Sequence, residues 1–70
     1  MNRYSITVLG KSEDKIDYKF CVGINVISDD IARMAADNMK QRMAQTFVGN
    51  WWIEWIRNEL TGKLVLLRDE

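Results

Sequence analysis

The segment Ile16–Val26, IDYKFCVGINV, carries an apolar residue at every even position and a polar or small residue at every odd one. This alternation is typical of a β-strand with one face against a core and the other against water. Residues 3–9 alternate in the same way, with Tyr4, Ile6 and Val8 in phase. Because residues 10–15 begin with glycine and are otherwise polar, they predict a turn. We therefore expect the chain to open with an antiparallel hairpin.

A helix is predicted directly after this hairpin. Ser28 is a favourable N-cap residue, and the two aspartates that follow it suit the positive end of a helix dipole. From Ile31 to Phe47 apolar residues recur every fourth position, which gives one apolar stripe. We expect the helix to end near Val48.

The last third of the chain allows two interpretations. The run Leu60-Thr61-Gly62-Lys63 is a polar turn followed by β-forming residues, which favours a hairpin with strands at 51–58 and 63–68. The alternative is a second helix capped by Asn50, because helical spacing is also shared by Trp51, Trp52, Trp55, Ile56 and Leu60. The hairpin gives a single α+β domain over residues 1–70. Its architecture is a two-layer ββαββ fold, with a four-stranded antiparallel sheet and one helix packed on one face. The helical alternative gives ββααβ.

The predicted final hairpin is apolar on both of its faces. In a regular strand Trp51 and Trp55 share one face and Trp52 lies on the other. We expect the core side to hold Ile53, Trp55, Val65 and Leu67, and the opposite side to hold Trp52, Ile56, Leu64 and Leu66, beside Leu9 and Cys21. One helix covers only one face, so this second face is predicted to be an interface. The predicted partner-contact residues are Trp52, Ile56, Leu64, Leu66 and Trp51.

The composition argues against catalysis and against metal or cofactor binding. The 70 residues include no histidine and a single cysteine, so the usual metal ligand and the usual general base are missing. Asp29 and Asp30 diverge on the helix, and Asp37 lies about two turns further on. We interpret these aspartates as a cap and a solvated face. No enzyme activity, catalytic residue, metal ion or cofactor is predicted.

The expected function is stoichiometric binding to a protein. Tryptophan is enriched at interaction hot spots, and the partner is expected to be a host protein or a second copy in a homodimer. The alternative is single-stranded nucleic-acid binding through the Trp cluster and the scattered Lys and Arg residues. Ten basic residues balance ten acidic ones, which argues against nucleic acid. No segment has the length and apolarity of a signal peptide or a membrane span, so we expect a cytoplasmic protein without membrane contact.

In size and in its strand–strand–helix opening, the chain resembles small phage-encoded host-takeover proteins. These include anti-CRISPR proteins and phage antagonists of bacterial toxins. The resemblance implies a non-enzymatic α+β inhibitor that blocks the surface of a host defence protein. The zero net charge of this chain departs from the strongly acidic DNA mimics among such proteins.

Overall fold

The computed structural model describes residues 1–67, and it confirms the ββαββ order over this range. Within residues 1–67 the strands form one antiparallel sheet in the order β2-β1-β3-β4, so β2 and β4 are the edge strands. The segment after Asn50 is a strand, which decides against the ββααβ alternative. The elements are β1 Asn2–Ser12, β2 Asp17–Val26, α1 Asp29–Thr46, β3 Gly49–Asn58 and β4 Leu64–Leu67.

The first hairpin is longer and more regular than the sequence suggests. Strands β1 and β2 pair without a break from Asn2↔Val26 to Lys11↔Asp17. The predicted turn at residues 10–15 is too long, since β1 continues to Ser12 and pairs with β3 on its other side. The chain reverses around Lys15, which has a φ of 62° and donates its N–H to the Ser12 carbonyl at 2.9 Å.

Helix α1 begins and ends close to the predicted positions. The Ser28 hydroxyl accepts the Ile31 N–H at 3.3 Å, as expected of an N-cap. The buried residues of the helix are Ala32 and Ala36, whose small side chains let the helix lie close to the sheet. The helix packs mainly on β3 and much less on β1 and β2.

A buried tyrosine joins the first hairpin to the start of the helix. Tyr4 is fully buried, and its hydroxyl donates to the Asp29 carboxylate at 2.6 Å. This hydrogen bond, and then burial, raise the pKa of Tyr4 above its ordinary value. The contact therefore holds the helix N-terminus in a fixed position on the sheet.

The turn of the second hairpin is the one that the sequence predicts. Gly62 has a φ of 73°, the left-handed conformation that favours glycine. The Asn58 N–H donates to the Lys63 carbonyl at 2.9 Å, and the Gly62 N–H donates to the Asn58 carbonyl at 2.8 Å. The Asn58 side chain also accepts the Leu60 N–H, so the turn has its own hydrogen-bond network.

Two β-bulges change the predicted faces of this hairpin. Val8 pairs with Ile53 and Thr7 pairs with Trp55, so Glu54 is an extra residue in β3. In β4, Val65 is the extra residue between the pairs Ile56↔Leu66 and Arg57↔Leu64. Each bulge reverses the alternation that follows it.

The core lies between α1 and the face of the sheet on which the helix packs. The prediction that Ile56 lies on the opposite face is wrong, because the bulge at Glu54 brings both Ile53 and Ile56 to the helix side. Leu66, also predicted on the opposite face, packs against the core, and so does Val65. The side chain of Leu67 lies outside the described part of the chain. The buried apolar residues are Tyr4, Ile6, Val8, Ala32, Ala36, Ile53 and Ile56.

Candidate protein interface

The face of the sheet opposite α1 is called the outer face. Odd-numbered residues of β1 and β2 lie on it, in rows that the pairing register defines. One row runs from Lys19 through Leu9 to Trp52, and the next runs from Cys21 through Thr7 to Trp55. Two of the three indoles therefore lie side by side on the same face.

We call these two indoles, together with Leu9 and Thr7, the indole patch. Leu9 and Thr7 belong to β1, which lies between the indoles of β3 and strand β2. Trp52, Trp55 and Leu9 are half-buried, whereas Thr7 is only 1% exposed. Within residues 1–67 the helix lies on the opposite face, so Thr7 is buried here by its neighbours in the sheet. The patch is thus a packed layer of side chains with an accessible apolar surface.

Polar contacts hold both indoles in place. The Trp52 Nε1–H donates to the Glu54 carboxylate at 2.9 Å, so the bulge residue itself fixes one ring. The Arg57 guanidinium lies 5.1 Å from the centre of the Trp55 ring, within the range of a cation–π contact. Rings that are already fixed lose little conformational entropy when a partner binds.

One edge of the indole patch carries a small charged network. The Glu59 carboxylate accepts the Ser5 hydroxyl at 2.6 Å and the Arg57 Nε–H at 3.2 Å. The Ser5 bond, and then the Arg57 bond, lower the pKa of Glu59 from its ordinary value. Arg57 therefore contacts an acid and an indole together, which limits its freedom to bind phosphate.

A shallow hollow of about 370 Å³ opens at the other edge of the patch. Its wall includes the apolar side chains of Leu9 and Trp52 and the charged residues Asp17 and Lys19. A lining that combines apolar side chains with charges of both signs matches the usual composition of a protein interface.

The structure brings together only part of the predicted contact set. Trp52 lies on the outer face. Leu64 pairs with Arg57, and its side chain is 52% exposed. Ile56 is fully buried in the core, and Leu66 packs against it, so neither is on the outer face. Leu9 and Cys21 lie on the outer face as expected.

Trp51 lies on the helix side and has a structural position. Its ring lies over Gly10, where a Cβ would overlap the indole. The Trp51 Nε1–H donates to the Phe47 carbonyl at 2.8 Å, and its ring centre is 5.7 Å from that of Tyr18. Trp51 therefore closes the C-terminal end of α1 against the sheet.

The sequence did not identify Trp55 and Arg57 as parts of this site. A regular strand would place Trp55 opposite Trp52, and only the extra residue Glu54 brings the two indoles to one face. Because the bulge forms by pairing with β1, which is distant in sequence, no local residue pattern marks it.

The acidic residues and the cysteine are the other side chains of the described part of the chain to consider for chemistry. Within residues 1–67, no three His, Cys, Asp or Glu side chains come together as a candidate metal site. Cys21 is an exposed free thiol, 3.5 Å from the Thr7 hydroxyl. In this same range the helix lacks the length and apolarity needed to cross a membrane.

Comparisons of the chain with protein-family models, with curated proteins and with solved structures found no match.

Proposed function

We propose that this protein is a small non-enzymatic binding protein that acts by occupying the surface of a partner protein. The observation that carries the proposal is the pair of fixed, accessible indoles, Trp52 and Trp55, on the sheet face opposite α1. Trp side chains in a packed apolar setting are among the residues most enriched at interaction hot spots.

The charge distribution around the indole patch supports a protein partner. Arg57 is paired with Glu59, Trp52 is bound to Glu54, and the hollow has both Asp17 and Lys19 in its lining. A surface of balanced charge gives no long-range attraction to a polyanion. It matches the apolar centre and mixed polar rim of protein–protein contacts.

The first partner class to test is a bacterial defence protein. The chain resembles small phage-encoded inhibitors in its size and its strand–strand–helix opening. An inhibitor of this kind needs one rigid surface and no active site, and the indole patch supplies such a surface. The finer proposal is therefore that the protein is a phage or mobile-element inhibitor that works in the host cytoplasm.

The test is affinity capture from a bacterial lysate with a tagged chain, followed by affinity measurement with the purified captured protein. Trp52→Ala and Trp55→Ala are compared with Met34→Ala, an apolar truncation on the helix, where Met34 is 65% exposed. We expect each Trp variant to cost about 2 kcal/mol or more, which is about 30-fold in Kd. The control should bind like the wild type. A captured protein that binds all three variants equally would refute the proposal.

A second candidate function is single-stranded nucleic-acid binding. It is favoured by the row that places Lys19 beside Leu9 and Trp52, and by the guanidinium of Arg57 on the neighbouring indole, Trp55. Aromatic platforms with adjacent cations bind bases by stacking. This function predicts an affinity for single-stranded DNA or RNA that falls steeply with salt. If titration with oligonucleotides at low salt gives no change in Trp fluorescence, this candidate is eliminated.

A further inference from the structure

Strand β2 presents a long, regular edge of backbone hydrogen-bonding groups. The Ser12 N–H bonds to the Ile16 carbonyl, and the pairing with β1 then continues without a break. Hydrogen-bonded pairs alternate in an antiparallel ladder, so the even residues of β2 bond to β1. The odd residues from Asp17 to Asn25 therefore direct their N–H and C=O groups towards the open edge.

The helix side of β2 is also incompletely covered. Helix α1 packs mainly on β3, and Val22 in the middle of β2 is 39% exposed. Phe20 and Ile24 on either side of Val22 are only half-buried. An edge strand with an accessible apolar face is a site where natural sheets gain another strand.

The two edges of the sheet differ in how they are protected. β4 has four residues and carries a bulge at Val65, two devices that discourage further pairing. β2 has ten residues, no proline and no bulge. The edge of β2 is therefore the one suited to accept a strand.

The apolar residues of β2 are symmetric about Val22, so a second copy of β2 is a strand that fits this edge. Antiparallel pairing of two β2 strands centred on Val22 places Phe20 opposite Ile24 and Tyr18 opposite Val26 of the other copy. Val22 then meets Val22, so every apolar residue on the helix side has an apolar partner. We propose that a second copy of this chain pairs along β2, with the two-fold axis at Val22.

The outer face of the same pairing is compatible with this register. Cys21 lies opposite Gly23 of the other copy, and Lys19 lies opposite Asn25, so like charges do not oppose each other directly. The hydrogen-bond phase also agrees, because Val22 directs its backbone groups towards β1 and the flanking odd residues direct theirs outwards. The result is a continuous eight-stranded sheet with two helices on one side and both indole patches on the other.

This dimer does not depend on the proposed function of the indole patch. Pairing along β2 leaves Trp52 and Trp55 uncovered, since they lie on β3, two strands away from the edge. A dimer would present two such patches on one face, so a multivalent partner would bind more tightly than a single patch predicts.

The first test is absolute mass by light scattering after size exclusion, from micromolar to millimolar protein. We expect the wild type to approach twice 8.2 kDa as concentration rises. Val22→Lys places two charges opposite each other at the axis and should leave a folded monomer, as judged by circular dichroism. Met34→Lys introduces the same charge on the exposed helix surface and should still dimerise. A wild type that stays monomeric at every concentration overturns the proposal, as does a dimer unaffected by Val22→Lys.

The second test measures the register directly. Residues facing each other in a non-hydrogen-bonded pair have Cα atoms about 4.5 Å apart, within the range that a disulfide spans. The double variant Cys21→Ser with Val22→Cys should therefore form a disulfide-linked dimer under mild oxidation. Cys21→Ser with Met34→Cys puts the thiol at a more exposed position, 65% against 39% for Val22, and should remain uncrosslinked. Equal crosslinking of the two variants, or none in the first, would refute pairing at Val22, even if β2 takes up a strand of another protein.

Discussion

The two hairpins of this protein are built differently. β1 and β2 pair over ten residues with no change of register, so each strand keeps the same alternation of faces throughout. β3 and β4 pair over a shorter stretch, and both β3 and β4 contain an extra residue. The first hairpin is a straight ladder, and the second is bent twice.

The bends of the second hairpin have a structural use. With Glu54 as an extra residue, Ile53 and Ile56 both enter the core while Trp52 and Trp55 both reach the outer face. A regular strand would divide each of these pairs between the two faces. The bulge therefore fills the core and assembles the indole patch by the same local change.

The difference between the hairpins is tested most strongly by deleting one residue from each. Deleting Glu54 removes the residue that has no partner, so every remaining pair and every face is kept. We expect a folded protein whose free energy of unfolding changes by about 1 kcal/mol, the scale of the lost Trp52–Glu54 hydrogen bond. Circular dichroism shows whether the protein is folded, and urea denaturation measures its free energy of unfolding.

Deleting Cys21 is the matched control, since its side chain is also on the outer face and is exposed. Here every residue has a partner, so one half of β2 must turn its apolar side chains to water. A domain of this size has only a few kcal/mol of stability in reserve, and we expect the fold to be lost. If the Cys21 deletion folds and the Glu54 deletion does not, the bulge assignment is wrong.

Truncating Ile56 and Leu64 measures the consequence of the bulges for two residues of the second hairpin. A regular hairpin would place both on the outer face, but Ile56 is fully buried and Leu64 is 52% exposed. Ile56→Ala should lower the free energy of unfolding by about 2–5 kcal/mol, the range for a large-to-small change in a core. Leu64→Ala should change it by no more than about 0.5 kcal/mol. If urea denaturation shows that the two variants lower the free energy of unfolding equally, Ile56 is not buried in the core.

Sequence reasoning succeeded where local signals and unbroken alternation coincide. The alternation of Ile16–Val26, the Ser28 cap and the left-handed Gly62 predicted the element order and the second turn correctly. It failed at Ile56 and Leu66, because a shift of one residue reverses every later side chain and pairing partners set that shift. The part of the site that could be predicted was therefore Trp52, which precedes the bulge, and the part that could not was Trp55, which follows it.

The smallest expected effect is a change in how the stability of the protein depends on pH, and it comes from Glu59 in the second hairpin. Glu59, at the end of β3, has a pKa below the ordinary 4.5, chiefly because the Ser5 hydroxyl donates to it and secondly because Arg57 does. A carboxyl whose pKa is lowered by folding stabilises the protein above its unfolded pKa, and this contribution is lost as pH falls through the folded value. Glu59→Gln and Ser5→Ala should therefore each weaken the dependence of stability on pH in the range below 4.5, while lowering stability slightly at neutral pH. Urea denaturation at a series of acid pH values measures this slope. An unchanged slope in both variants would mean that the network at the edge of the indole patch does not persist in solution, and Arg57 would then be free to bind a partner.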